Sequence, residues 1–361
     1  MPSALTSASI AKAGNIILKR VNELVRPEIS QYTTGLHIGR QNIILSEFEI
    51  KKDGFILTNL IHEKASSSIE QNSEILTRMF SHPDFLFKKV AVSVPRDSAV
   101  VRIITFPLMD DKQLKASLEF EAEKYVPYNL SEIYFDCQSL IDKEQRSQVR
   151  QMKVLLSACK RDVIMNLIHV IQKARGQVDV INLDSLAALN AFLYARSKES
   201  QGPAALLDIG TNVSNLSLIE GNKIVFLRDI SFGGADLTQA LVKNLQMNTE
   251  EAEKIKVSVE AQTAPYEPVL RAVIEKIVHE VKITIHYVEG QLGKPMNLKD
   301  LYLAGGMARN PLLQESIRNF LKLEPVIWDP LKGIKVGNKV NTELVKSLET
   351  VLPVSVGLAI A

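Results

Sequence analysis

Two short stretches have the composition of phosphate-holding turns. Residues 206–210 read Leu-Leu-Asp-Ile-Gly, with Thr211 and Asn212 following, and residues 35–39 read Gly-Leu-His-Ile-Gly. A turn of glycine and small polar residues presents backbone N–H groups, and such groups cradle phosphate oxygens. A carboxylate just ahead of the turn, here Asp208, suits Mg2+ held through water, because that ion prefers hard oxygen ligands and keeps much of its hydration. In the other stretch the turn is Gly39-Arg40-Gln41, and His37 takes the acidic place. Neutral imidazole is a poor partner for Mg2+, and imidazolium repels it. Losing one charge-assisted contact costs roughly 1.5–3 kcal/mol, about ten- to a hundredfold in affinity. Two readings of Arg40 stand: it meets a phosphate directly, or it faces solvent. A further reading makes His37 a phosphate contact itself. A third glycine turn, Gly305-Gly306-Met307, lies between a strand-like and a helix-like run and lets the backbone approach a flat ligand closely.

These turns need elements to carry them. "TGLHIG", "NIILSEFEI" and "GFILTNLIH" read as three short strands, with Gly39, Asp53 and Gly54 at the turns. Ser67 with Glu70 and Ser68 with Gln71 are spaced as capping boxes, which predicts a helix to about Phe80. The second half repeats the order: "AALLDIG", "VSNLSLIEG" and "KIVFLRDIS", then a helix from about Asp236. This is an internal duplication, two similar subdomains each opening on a hairpin. A strand-rich and helical stretch at 88–175 interrupts the first copy as an α+β module. A helical one at 246–298, containing the long "YEPVLRAVIEKIVHEVKITIHYVEGQ", interrupts the second. The cores are then 34–87 with 176–200 for the first lobe and 201–245 with 299–361 for the second. Ahead of them, Ile10, Ala13, Ile17, Val21 and Leu24 follow helical spacing, with Lys12, Lys19 and Arg26 elsewhere around the turn. A basic amphipathic helix over 1–33 docks on its own domain, on a partner or on a membrane; the pattern alone does not choose.

Bulk properties exclude several classes. At 361 residues the chain is long for one core, so two domains are expected. The 43 basic and 41 acidic residues nearly balance, which argues against nucleic acid as the partner. Cys137 and Cys159 lie far apart without metal-ligand spacing and read as core thiols in a reducing compartment. No apolar run reaches about 18 residues, so no spanning helix is expected.

"LLDIGTNVSNLSLIEG" resembles the second phosphate motif of the actin-like ATPase superfamily, which includes actin, sugar kinases, the large heat-shock chaperones and FtsA. "YLAGGMARNPLLQESI" resembles its adenosine motif, and "INLDSLAALNAF" and "VSVGLAIA" resemble its two connecting helices. "FPLMDDKQLKASLEFEAEKYVPYNLSEIYFDCQSL" is similar to the signature of the PilM family, cytoplasmic actin-like proteins of type IV pilus assembly. The resemblance runs over roughly 34–361. It implies an α/β, duplicated actin-like (ribonuclease H-like) two-lobed fold with an FtsA/PilM-type inserted α+β subdomain in the first lobe. It implies ATP or ADP, with Mg2+, between the lobes. On this chain Gly39, Arg40, Asp208, Gly210, Thr211 and Asn212 would face phosphate, with Gly233 and Gly234 nearby. Gly305, Gly306 and Met307 would pack on adenosine. Glu253 and Lys256 match ribose or base contacts, or else form an exposed helix face. Asp184 matches a carboxylate near the attacking water, or else is a plain N-cap.

The resemblance further implies a scaffold that docks the N-terminal peptide of an inner-membrane, PilN-like partner, localised to the cytoplasm and peripheral to that membrane. Because of His37, slow ATP turnover or none is expected. The competing readings are an active ATPase switch, an FtsA-like filament former, a pseudo-ATPase like the cytoplasmic domain of type II secretion proteins, and a small-molecule kinase. Self-association is open.

Overall fold

The computed structural model describes residues 32–66, 68–83, 85, 89–141, 149–197 and 202–361. The helix expected within 1–33 lies outside the described residues, except that Tyr32 and Thr33 already belong to the first strand. The chain divides into two units: the described residues up to 197 together with Pro330–Ala361, and the described residues from 202 to 329.

The first unit opens on an antiparallel meander of β1 (Tyr32–Ile38), β2 (Asn42–Lys51) and β3 (Gly54–Lys64). The Gly39 N–H donates to Asn42 O at 2.9 Å and closes the first turn. Helix α1 (Ile69–Phe80) starts at the second of the two expected caps, with the Ser68 hydroxyl accepting from the Gln71 N–H, while Ser67 lies outside the described residues. β4 (Lys89–Val94) then pairs parallel with β1. A separate antiparallel sheet follows, from β5 (Ala99–Pro107), β6 (Ile133–Ser139) and β7 (Gln151–Lys160), in the order β5-β7-β6. Helix α2 (Asp111–Glu121), held by the Asp110–Gln113 capping box, belongs to this module. Its own core includes Phe106, Leu114, Leu118, Met152, Val154 and Leu156. Helix α3 (Arg161–Lys173) leads to β8 (Gln177–Leu183), parallel to β4, and to α4 (Asp184–Arg196).

The inserted module is therefore smaller than the stretch 88–175. β4 lies in the main sheet between β1 and β8, and α3 packs against α1 and β8. The reason is hydrogen bonding: a parallel strand buried on both faces needs two neighbours, and only β1 and β8 supply them.

The second unit repeats the frame. β9 (Ala204–Ile209), β10 (Ser214–Glu220) and β11 (Lys223–Ile230) form the meander, followed by α5 (Gly234–Leu245), α6 (Thr249–Ile255) and α7 (Tyr266–Leu292). β12 (Asp300–Gly305) and, after α8 (Pro311–Ser316), β13 (Glu324–Ile327) add in parallel. The orders β3-β2-β1-β4-β8 and β11-β10-β9-β12-β13 are the same arrangement twice, which is the duplication read from the sequence.

The last segment departs from the expected boundaries. Residues 330–361 belong with the first unit, not with the second lobe's core. β14 (Lys335–Val336) adds to the edge of β3; α9 (Thr342–Leu348) follows, and α10 (Pro353–Ala359) packs on α4 and β1. The packing explains the placement. A Cβ on Gly357 would lie 1.7 Å from the Ala187 carbonyl oxygen, and one on Gly35 would lie 1.9 Å from that of Ser355. Small residues let α10, α4 and β1 touch backbone to backbone, and Ala187, Ala188, Val354 and Leu358 close the contact. Helix α4 is buried on nearly every side, so it reads as apolar all round rather than amphipathic.

Cys137 and Cys159 are free and buried, as expected of core thiols. Burial pushes both thiols up to about 12, helped by Asp136 and Asp162 respectively. No helix among the described residues is long and apolar enough to cross a membrane.

Two sets of predictions follow from this packing. Gly357→Val should destabilise the protein by about 3 kcal/mol or prevent folding, because the overpacked atom is backbone and cannot swing away. Gly290→Ala, in α7 with nothing within 4 Å of its added methyl, should stabilise by about 0.5–1 kcal/mol. Urea unfolding measures both. Native Cys137 and Cys159 should resist alkylation at pH 8 and react only as the protein unfolds. Because the folded thiols hold their protons more tightly, their contribution to stability is whole below the ordinary value of 9.0 and is lost as pH rises from there toward about 12.

Candidate functional site

In the second unit the predicted residues converge. The Gly234 N–H donates to Gly210 O at 2.9 Å and the Ala235 N–H to Thr211 O at 2.8 Å, so the first turn of α5 is tied onto the hairpin turn. A Cβ on Gly233 would sit 2.3 Å from the Thr211 carbonyl oxygen. One on Gly234 would sit 3.4 Å from both Lys256 Nζ and Met307 Cγ, and 3.8 Å from Gly210 O. Gly305 has φ +88°, and a Cβ there would meet Ile209 O at 2.1 Å and the Asp208 carboxylate at 2.9 Å. Only glycine brings the β12 turn this close to the end of β9. Gly306 is exposed, and nothing stands within 4 Å of where its Cβ would be. Asn212 is exposed at the tip of the turn, while Asp208 is buried.

Glu253 and Lys256 do not form an exposed helix face. The Lys256 side chain is only 6% exposed. Its ammonium donates to Gly234 O at 3.2 Å, Thr238 Oγ1 at 2.9 Å and Glu253 Oε1 at 2.6 Å. Thr238 donates to the same Glu253 oxygen. Lys256 therefore staples the end of α6 to the first turn of α5. Buried Asn310 completes the joint: its amide donates to Lys256 O, and its carbonyl oxygen accepts from the Leu313 N–H at 2.8 Å as the cap of α8. Sequence reasoning missed Thr238 and Asn310. The Asn310-Pro311 pair was the available signal, since Asn before Pro at N1 marks a helix start.

In the first unit Gly39 and Arg40 lie in the matching turn, but the chemistry differs. Arg40 is exposed and its guanidinium pairs with Asp97, with Nε at 2.9 Å. Asp184 is not an N-cap: Leu183 holds that place and Asp184 is the first residue of α4. Strand β8 runs straight into the helix, so the carboxylate is free to point elsewhere. Its Oδ1 lies 3.8 Å from His37 Nε2, and the two side chains are 8% and 15% exposed. Asp184 Oδ1 and His37 Nδ1 are both buried without a hydrogen-bond partner.

No group of three or more His, Cys, Asp or Glu side chains is placed to share a metal among the described residues. Asp208 precedes the second-unit turn, and His37 takes the matching place in the first.

Residues 35–361 match the family described as Type IV pilus assembly protein PilM. The chain belongs to the PilM family. A chain of the PilM-PilN type IV pilus biogenesis complex aligns with a TM-score of 0.81 and 20% identity, covering 92% of this chain and 98% of that one. Ethanolamine utilization protein EutJ from Carboxydothermus hydrogenoformans gives 0.53 and 17%, covering 98% of each chain. In sequence, EutJ of Salmonella typhimurium is 25% identical over 150 residues, 42% of this chain and 43% of that protein. Cell division protein FtsA of Bacillus subtilis is 29% identical over 96 residues, 27% of this chain and 21% of its own. The chain thus matches less than half the length of these curated relatives. The structural likenesses show the expected actin-like fold, and the family match shows that the resemblance to PilM holds over nearly the whole chain.

Replacing Lys256 tests the joint. Lys256→Met takes the ammonium away from Gly234 O, Thr238 and Glu253 and should lower stability by about 2 kcal/mol in urea unfolding. Lys254→Met, which removes an exposed pair with Glu250, should leave the midpoint unchanged.

Proposed function

We propose that the chain is a scaffold of a type IV pilus, or related secretion, assembly platform. It binds ATP or ADP with weak or no hydrolysis and docks a short peptide of an inner-membrane partner similar to PilN. It works on the cytoplasmic side and reaches the membrane through that partner.

The observation that carries the nucleotide half is the convergence around Gly234. Backbone of the Gly210–Asn212 turn, the first turn of α5 and the Gly305–Met307 turn meet with one buried cation, Lys256. Phosphate suits the Gly210–Asn212 turn, a run of glycine and small polar residues, which the first turn of α5 braces through the bonds of Gly234 and Ala235. The open side of Gly306 suits a flat adenosine. Lys256 supports this frame from beneath rather than reaching for ribose, since its three donors are engaged. The proposal of weak turnover is supported by the first unit, where Asp184 lies beside the His37 imidazole.

The peptide half rests on family membership and on the likeness to the chain of the PilM-PilN complex. The three-stranded module is the place proposed for docking. On its helix α2, Phe120 stands 84% exposed and offers an apolar handle.

Two titrations of the purified chain test the reading: a fluorescent ATP analogue, and a labelled N-terminal peptide of a PilN-like protein from the same cell. The native chain should bind both. Gly306→Leu should fold normally, keep the peptide and lose nucleotide affinity by about tenfold or more, because its side chain fills the open space. No nucleotide binding by the native chain would sink the first half, and no peptide binding the second.

A further inference from the structure

Helix α7 buries Ile274, Ile277, Val281, Ile285 and Val288 in the core of the second unit. On its opposite side Ile283 stands 46% exposed and Tyr287 54%. Gly290 follows three residues after Tyr287, so the three lie on one line along the helix. The Tyr287 ring leans on Phe226 of β11, with the centroids 5.8 Å apart, and is held upright there. Gly290 is exposed, and nothing lies within 4 Å of where its Cβ would be. A glycine within a helix costs stability relative to alanine, and no described neighbour requires this one. The line is thus two raised side chains followed by a gap.

The charges beside it are self-complementary. Lys282 and Glu289 are seven residues apart and flank the line on its same side. A two-fold axis midway between them turns a second copy end for end. It sets Lys282 against Glu289 of the second copy, and Glu289 against Lys282 of the second copy. The same rotation drops Ile283 between Tyr287 and Gly290 of the second copy, so a raised side chain meets a gap twice. Other charges along the helix are already paired within the chain: Glu280 with Arg228, and Lys294, just past its end, with Glu220.

We propose that this face of α7 is a self-association surface, on which a second copy of the chain packs its own α7 antiparallel. Every residue involved belongs to the second unit, and the inference does not depend on nucleotide or peptide binding.

The test is sedimentation velocity of the full chain over about 1 to 100 μM. The native chain should pass reversibly from monomer to dimer. Lys282→Glu sets acid against acid at both ends of the contact and should raise the dimer dissociation constant about tenfold or more. Glu289→Lys should do the same with base against base. An equal mixture of the two should return to within about threefold of the native value, since each then meets its opposite. Glu289 also accepts from the Met296 N–H, so thermal unfolding checks that variant. Gly290→Gln, on an exposed and open position, fills the gap without touching the core and should weaken the dimer by a similar factor. A native chain that stays monomeric throughout would overturn the inference. So would a dimer that neither Lys282→Glu nor Gly290→Gln weakens, because it would use another face.

Discussion

Direct contact between backbones, possible only where a side chain is missing, sets the spacing on which both units depend. In the first, Gly35 and Gly357 let α10 lie against β1 and α4 with no Cβ between them. The start of α4 is thereby fixed beside the end of β1, and those two points carry Asp184 and His37. In the second, Gly305 rests on the end of β9 and Gly233 on the hairpin turn. The turns that would hold a ligand are thus made by main chain, with side chains such as Lys256 and Asn310 bracing them from behind. Such a frame is stiff, because interiors packed at this density have no space in which to relax.

The duplication sets up a natural comparison. Strand order, hairpin register and the Ile-Gly at the turn are shared, so what differs between the copies is chemistry and not geometry. The second copy keeps an acid, small polar residues and a buried lysine joint. The first has an imidazole and an arginine, and each faces an aspartate. A fold of this kind can lose a metal-dependent reaction and keep a ligand-responsive shape, since the shape depends on the glycines and not on the acid.

Much of this was legible in the residues. The repeated apolar-X-Ile-Gly motif exposed the duplication because a hairpin end demands glycine and a short polar turn in every copy. Ser68 was legible as a cap because capping is local chemistry. What escaped was non-local. β4 and β5 follow closely in sequence, yet one pairs with β1 and the other with β7, and pairing partners leave no local mark. The return of 330–361 to the first unit depends on Gly35 and Gly357, which are 322 positions apart in number and in contact with neighbouring main chain in space. Asp184 reads as an N-cap because Asp before Ser-Leu-Ala usually is one; the strand running directly into α4 moves the cap back to Leu183. Lys256 reads as an exposed charge because lysine usually is, and only its three acceptors make burial tolerable.

A scaffold of the proposed kind would gain from a nucleotide site even without turnover. The second-unit frame joins four separate segments: the hairpin turn, α5, α6 and the β12 turn. A ligand seated on main-chain donors from several of them stabilises their arrangement by its own binding free energy, whether or not it reacts. Hydrolysis would convert that stabilisation into a timed release, which needs a positioned water and a free carboxylate. On the proposed function Asp184 would be that carboxylate, and its neighbour is a histidine. On the proposed function the residues favour holding over turnover, and holding is what a platform that keeps a membrane partner's peptide in position would require.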